Sequence, residues 1–204
     1  AYSDNGTSWT GVSGTSIFSD QGNYSLWYGL KNRWIAVGKG TNTIAYSDDN
    51  GSTWTAVPSS TSIFSTSGNN IDFNPTIAYS IDGKNWYGLG STIFSTSCNG
   101  IVWFSSSQYL RWIAVGKGTN TIAYSFDGIK WFGGPRDIFS DSGNGICCNV
   151  SLIVAVGKGT NTIATSSNGG TQWTILGNNI FSVSGNGVAW NGIMLSLIHI
   201  SEPT

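Results

Sequence analysis

Apolar residues along this chain gather in short runs of strand character and never in helical stripes. RWIAVG, Arg111 to Gly116, is almost continuously apolar, the pattern of a strand covered on both faces. Segments such as Asn99 to Trp103 and Asn186 to Trp190 set β-branched and aromatic residues behind Asn-Gly. TIAYS then pairs back on the apolar strand through a Gly-Lys-Gly-Thr-Asn turn. A fourth strand begins at the Trp after each Asp-Gly or Asn-Gly turn, a strong hairpin signal. No window sustains a period of 3.6, so the pattern predicts an all-β chain of four-stranded antiparallel units.

These units repeat. RWIAVGKGTNTIAYS runs unchanged from Arg33 to Ser47 and from Arg111 to Ser125, and AVGKGTNTIA recurs from Ala155 to Ala164. A shorter remnant, TIAYS, stands at Thr76 to Ser80, and AYS opens the chain. Each is followed by a turn, a Trp (Trp9, Trp54, Trp86, Trp131, Trp173) and an Ile-Phe-Ser with Phe18, Phe64, Phe94, Phe139 or Phe181. Successive Trp residues are 45, 32, 45 and 42 positions apart. A period near 45 is that of a four-stranded propeller blade. The expected architecture is therefore an all-β propeller of about five blades over residues 1–193, or a piece of a larger one. The short interval predicts one blade, around Asn69 to Trp86, that lacks a strand. Ala1 to about Val12 reads as the last two strands of a blade and Gly187 to Trp190 as a first strand.

At Ser47 to Trp54, SDDNGSTW fits S-x-D-x-G-x-T-W at Ser47, Asp49, Gly51, Thr53 and Trp54. This resembles the Asp box of sialidase-like, BNR-repeat propellers. Ser80, Asp82, Gly83 and Trp86, and Ser125, Asp127, Gly128 and Trp131, carry a version one residue shorter. Ser3, Asn5, Gly6 and Trp9, and Ser166, Asn168, Gly170 and Trp173, have Asn for Asp. The family places the motif between the third and fourth strands of a blade. Its expected role is local: the Asx side chain accepts backbone N–H bonds, Gly takes positive φ, and Trp buries its ring. The repeat wording also resembles propeller-like proteins of large DNA viruses and phages. Sialidase activity does not follow from the resemblance, because such enzymes use an Arg triad, a Tyr–Glu pair and an acid. Here Arg33 and Arg111 are one repeat position seen twice, and the sole Glu is Glu202.

Composition narrows the rest. Charged residues are 9% of the chain and the formal net charge is -1, which excludes the basic face of a nucleic-acid binder. No apolar run reaches membrane-span length, so membrane insertion is not expected. GKGTNT is not a phosphate loop, since G-x-x-x-x-G-K-[ST] is unmatched and no helix follows. Its three copies put Lys39, Asn42, Lys117, Asn120, Lys158 and Asn161 at one end of the expected propeller. Such a ring offers repeated weak contacts to glycans; the plainer reading is that Lys only solubilises a turn. Trp103, Trp112 and Trp190 suit sugar stacking, yet each falls in a strand where a core role is expected. The nine Asp residues lack calcium-loop spacing, and the single His199 builds no zinc site or triad. No cofactor or metal is expected. Cys98, Cys147 and Cys148 form no disulfide framework, the latter two reading as small buried apolar groups. They neither require nor exclude secretion.

After Gly192 the repeat breaks off into IMLSLIHISEPT, with the only Met, His and Glu of the chain. LSLIHISEPT resembles a translated sequencing adapter, so residues 194–204 read as a non-native tail on a longer protein. If folded, Leu195 to Ile200 would fall in the second-strand position of the last blade. The leading expectation is a non-enzymatic binding or display module, carbohydrate-binding or adhesive. Extracellular or virion-associated placement is what the viral resemblance suggests. Two alternatives stay open: a sialidase-like glycoside hydrolase fragment lacking its catalytic residues, and a scaffold with a protein partner.

Overall fold

The computed structural model describes residues 1–3, 5–12, 17–65, 77–193 and 195–198. The chain is all-β with antiparallel sheets. It divides into two compact units, Ala1–Gly90 and Ser91–Thr204.

In the first unit β1 (Gln21–Tyr28), β2 (Arg33–Lys39), β3 (Ile44–Ser47) and β4 (Thr55–Ala56) form one four-stranded sheet in chain order. A single helical turn, α1 (Ser60–Ile63), follows. β5 (Ala78–Tyr79) and β6 (Tyr87–Gly88) then pair only with each other. Tyr2 and Thr10 form an isolated bridge around the turn that carries Asn5, Gly6 and Trp9. The short repeat is thus represented by its outer hairpin, while Asn69 to Thr76 lie outside the described residues. Ile35, Ile44 and Val57 make the core of this unit, with Phe64 and Trp86 packed against it.

The second unit repeats the same meander twice. β7 (Ser97–Ser105), β8 (Leu110–Lys117), β9 (Ile122–Ser125) and β10 (Trp131–Gly133) form the first. β11 (Ser142–Cys148), β12 (Ile153–Lys158), β13 (Ile163–Ser166) and β14 (Thr174–Gly177) form the second. One bridge, Ser142 to Lys117, joins them. β15 (Gly187–Trp190) and β16 (Leu195–Ile198) add a further hairpin, so Leu195 to Ile198 does take a second-strand position.

The second strands carry the expected burial. Ile113, Ala114 and Val115 of β8, and Ile153 to Val156 of β12, are all buried. Alternate residues serve opposite faces. Ile113 and Val115 meet Ile153 and Ala155 of the next meander in a core completed by Phe104, Ile122, Ile138 and Phe139. Val154 and Val156 look the other way, toward Phe181 and Val188. Each first strand also carries a β-bulge at its Asn, at Asn23, Asn99 and Asn144. A bulge re-aims one side chain out of the ladder. Here Asn99 Nδ2 donates to Gly143 O at 2.8 Å and Asn144 Nδ2 to Gly185 O at 3.1 Å, so these two bulges tie their strands to the repeat that follows.

Candidate functional site

The Ser-Asx-Gly-Trp turns share one bonding scheme. In the complete motif the Gly51 N–H donates to Ser47 Oγ (2.9 Å), and the Thr53 N–H and hydroxyl donate to the Asp49 carboxylate (2.7 and 2.6 Å). Trp54 Nε1 closes the turn onto Gly51 O at 3.0 Å. In the shorter boxes the Asp82 carboxylate accepts from the N–H groups of Lys84 and Asn85, and Asp127 from those of Ile129 and Lys130, all at 2.8 Å. Ser80 and Ser125 accept from Gly83 and Gly128, and Trp86 and Trp131 bond back to the same glycines. Asn5 and Asn168 play the same acceptor part through Oδ1, which explains why either Asx residue serves.

These bonds set the acidity of the carboxylates. Donation from the Thr53 hydroxyl and N–H holds Asp49 below the usual range. The N–H groups of Asn85 and Lys84 do the same for Asp82, and those of Lys130 and Ile129 for Asp127. Such groups are anions committed to their own turn, not proton donors. Burial of the Trp ring varies: Trp131 is buried, Trp54, Trp86 and Trp173 are half-buried, and Trp9 is exposed.

The Gly-Lys-Gly-Thr-Asn turns are equally self-contained. Asn42 Nδ2 donates to Ile17 O (2.8 Å), Asn120 Nδ2 to Ile93 O (2.7 Å) and Asn161 Nδ2 to Ile138 O (3.0 Å). Every carboxamide therefore staples its turn to the Ile-Phe-Ser segment of the same unit. The repeated glycines make the approach possible. A Cβ on Gly116 would stand 2.2 Å from Ser97 O and 2.8 Å from the Phe94 ring, and Gly118 sits at φ +114°. The lysine heads remain half-exposed. Lys39 pairs with Asp20 at 2.8 Å, while Lys117 and Lys158 share Asp141 at 2.9 and 3.7 Å.

Two arrangements escaped the sequence reading. Trp103, expected in the core, is 41% exposed, and Trp27 at the equivalent register position is 42% exposed. Each leans on a Trp across the ladder: Trp27 on Trp34 at 5.5 Å and Trp103 on Trp112 at 5.2 Å, tilted by 53° and 55°. The reason is positional. In β11 the corresponding residues, Ile146 and Cys148, pack on the core of the meander before it, whereas β7 is the first strand of its unit. Trp190 and Trp112 are half-buried. Cys147 and Cys148 are half-buried against the two apolar clusters. The second arrangement is the setting of the arginines. Arg33 is buried and pairs with Asp48 at 2.5 Å, while Arg111 is surrounded by aromatic rings.

Among the described residues no three His, Cys, Asp or Glu side chains lie close enough to hold a metal ion, and no helix is long and apolar enough to cross a membrane. The chain matches no protein-family model and no curated protein.

Proposed function

We propose that the chain is a non-enzymatic binding and display module, built as a β-propeller of Asp-box blades and directed at carbohydrate. Three complete four-stranded meanders with one register, one bulge position and one box turn support the blade reading. The observation that carries the ligand class is the pair of tilted tryptophan platforms, Trp27 on Trp34 and Trp103 on Trp112. A pyranose has a face of C–H groups bearing slight positive charge, which the negative face of an indole attracts. Taking both surfaces out of water adds to the attraction. Contiguous apolar surface marks a contact site, and each platform sets two indole rings side by side. Two such platforms in one chain suit weak sites that gain from avidity.

The test is a glycan array with the full chain, followed by titration of the bound sugars against Trp27→Ala and Trp103→Ala. Each single variant should weaken binding about tenfold or more, and the double variant should abolish it. Substituting Lys39, Lys117 and Lys158 should leave the sugar affinity within about twofold, given their exposed ion pairs. A silent array, or a double variant that binds like the parent, overturns the proposal. Co-purification of one protein partner with a silent array would establish the scaffold reading instead.

A further inference from the structure

We propose that Arg111 and the rings around it form a site for the anionic group of an acidic sugar, a carboxylate or a sulfate ester. The inference rests on the glycan-binding reading and adds the charge class of the ligand.

One repeat position occurs here in two different settings. Arg33 and Arg111 begin the same fifteen-residue repeat, and both reach the backbone of a following box turn. Arg33 donates to Asp82 O, and Arg111 Nη1 to Gly169 O at 3.4 Å. The residue after the repeat differs: Asp48 in the first copy, Phe126 in the second. Arg33 is consequently neutralised by Asp48 at 2.5 Å. Arg111 forms no ion pair among the described residues. Its hydrogen bond to Gly169 O is long, so most of its five N–H donors stay open.

The surroundings of Arg111 hold it ready. The guanidinium carbon stands 4.7 Å from the Phe126 ring centroid, 5.3 Å from Tyr109 and 5.5 Å from Tyr124. Its stem packs against the box turn, where a Cβ on Gly169 would lie 3.2 Å from Arg111 Cδ. Rings stabilise the cation through their faces and fix its direction without using its N–H groups. Tyr124, Phe126 and Phe132 form one cluster, with centroids 5.5 to 6.1 Å apart. Phe126 is 57% exposed and Phe132 is also open, which leaves ring surface beside the cation. A second cation, Lys130, sits 5.5 Å over Phe132 and has no ion pair among the described residues. The nearest acid in sequence, Asp127, is committed to its own turn. Two cations on an open aromatic surface fit a ligand with a planar or tetrahedral oxyanion attached to a ring.

The experiment is calorimetric titration of the full chain with three oligosaccharides of equal length: an oligogalacturonate, a sulfated heparin fragment and a neutral glucan. One or both acidic ligands should bind at least about tenfold more tightly than the neutral one, and lose affinity as salt rises. The better of the two identifies carboxylate or sulfate as the preferred group. Arg111→Gln should remove the difference. So should Phe126→Asp, which rebuilds the internal pair that Arg33 makes with Asp48, without lowering thermal stability. Acidic and neutral ligands binding alike, an advantage insensitive to salt, or variants that keep it would each overturn the inference. Neutral-sugar binding that persists and is lost in Trp27→Ala and Trp103→Ala leaves the general glycan reading standing. Failure of all three ligands removes both. Should a variant unfold, the salt dependence of the parent chain still decides.

Discussion

Truncating Asn120 to Ala separates a structural staple from a ligand contact at the Gly-Lys-Gly-Thr-Asn turns. Asn120 is only 9% exposed, and its Nδ2 donates to Ile93 O over 2.7 Å. Removing the side chain deletes that bond and leaves a half-buried carbonyl without its donor. A group so stranded costs about 1–3 kcal/mol. Because Ile93 is not fully buried, water can reach the carbonyl in part, and about 2 kcal/mol is the expected loss. For a chain of this size that is a fall in Tm of roughly 4–8 °C. Asn120→Asp should cost at least as much, since it keeps the shape but points an acceptor at an acceptor. Lys117→Ala removes only a half-exposed ion pair and should change stability by less than about 1 kcal/mol. The assay is urea unfolding followed by circular dichroism, with thermal melts alongside. If Asn120→Ala unfolds within about 0.5 kcal/mol of the parent chain, or costs no more than Lys117→Ala, the staple argument is refuted.

Other expectations follow from the same geometry. Gly118→Ala should lower Tm strongly, because φ is +114° and the new Cβ would stand 2.2 Å from Ser95 Oγ, whereas Gly90→Ala, with nothing within 4 Å, should lose only the strain of its positive φ. Asp127→Asn should melt close to the parent chain and Asp127→Ala measurably lower, since Asn168 already serves as the acceptor in another box. Stability should fall in acid: Asp48, Asp49, Asp82, Asp127 and Asp141 all have folded-state pKa values below their ordinary ones. Their contribution is therefore present above about pH 4 and is lost progressively as pH drops toward the folded values, which melts between pH 7 and pH 2 will read. Burial pushes the Cys98 thiol up to about 12, so at pH 8 it should resist alkylation in the folded chain and react once the chain is unfolded in urea.

The meander was legible because its determinants are local and recur. The Asn-Gly signal, the apolar run and the box turn each fix one element, and every copy checks the others. The box bonding was legible for the same reason, since Ser47, Asp49 and Gly51 lie within five residues. Asn120 was harder to read, because its partner Ile93 lies 27 residues earlier. The signal was available: each Asn of these turns follows an Ile-Phe-Ser by a similar distance, and the two segments recur together. Trp103 was misread for another reason. A strand residue is buried only if something covers its face, and that depends on which meander comes before it. Cys148 and Trp103 share a register position, and Cys148 packs on the core of the meander before it.

In a chain made of copies, what recurs and what varies carry different information. Residues that recur from copy to copy, such as the box Ser, the paired glycines and the turn Asn, spend their polar groups on their own frame, as the bonds of Ser125, Gly116 and Asn120 attest. A ligand contact built from them would compete with folding. Departures from the repeat face no such competition. Replacing the acid of the Arg33–Asp48 pair by Phe126 leaves the frame intact, for the Asp127 turn keeps its bonds, yet it frees a cation and exposes a ring. The same holds for the open Trp27 and Trp103 faces, where the ladder register is unchanged and only the covering differs. Binding chemistry in this chain is therefore to be sought where one copy departs from another, and the Asp48 and Phe126 positions are the sharpest such contrast.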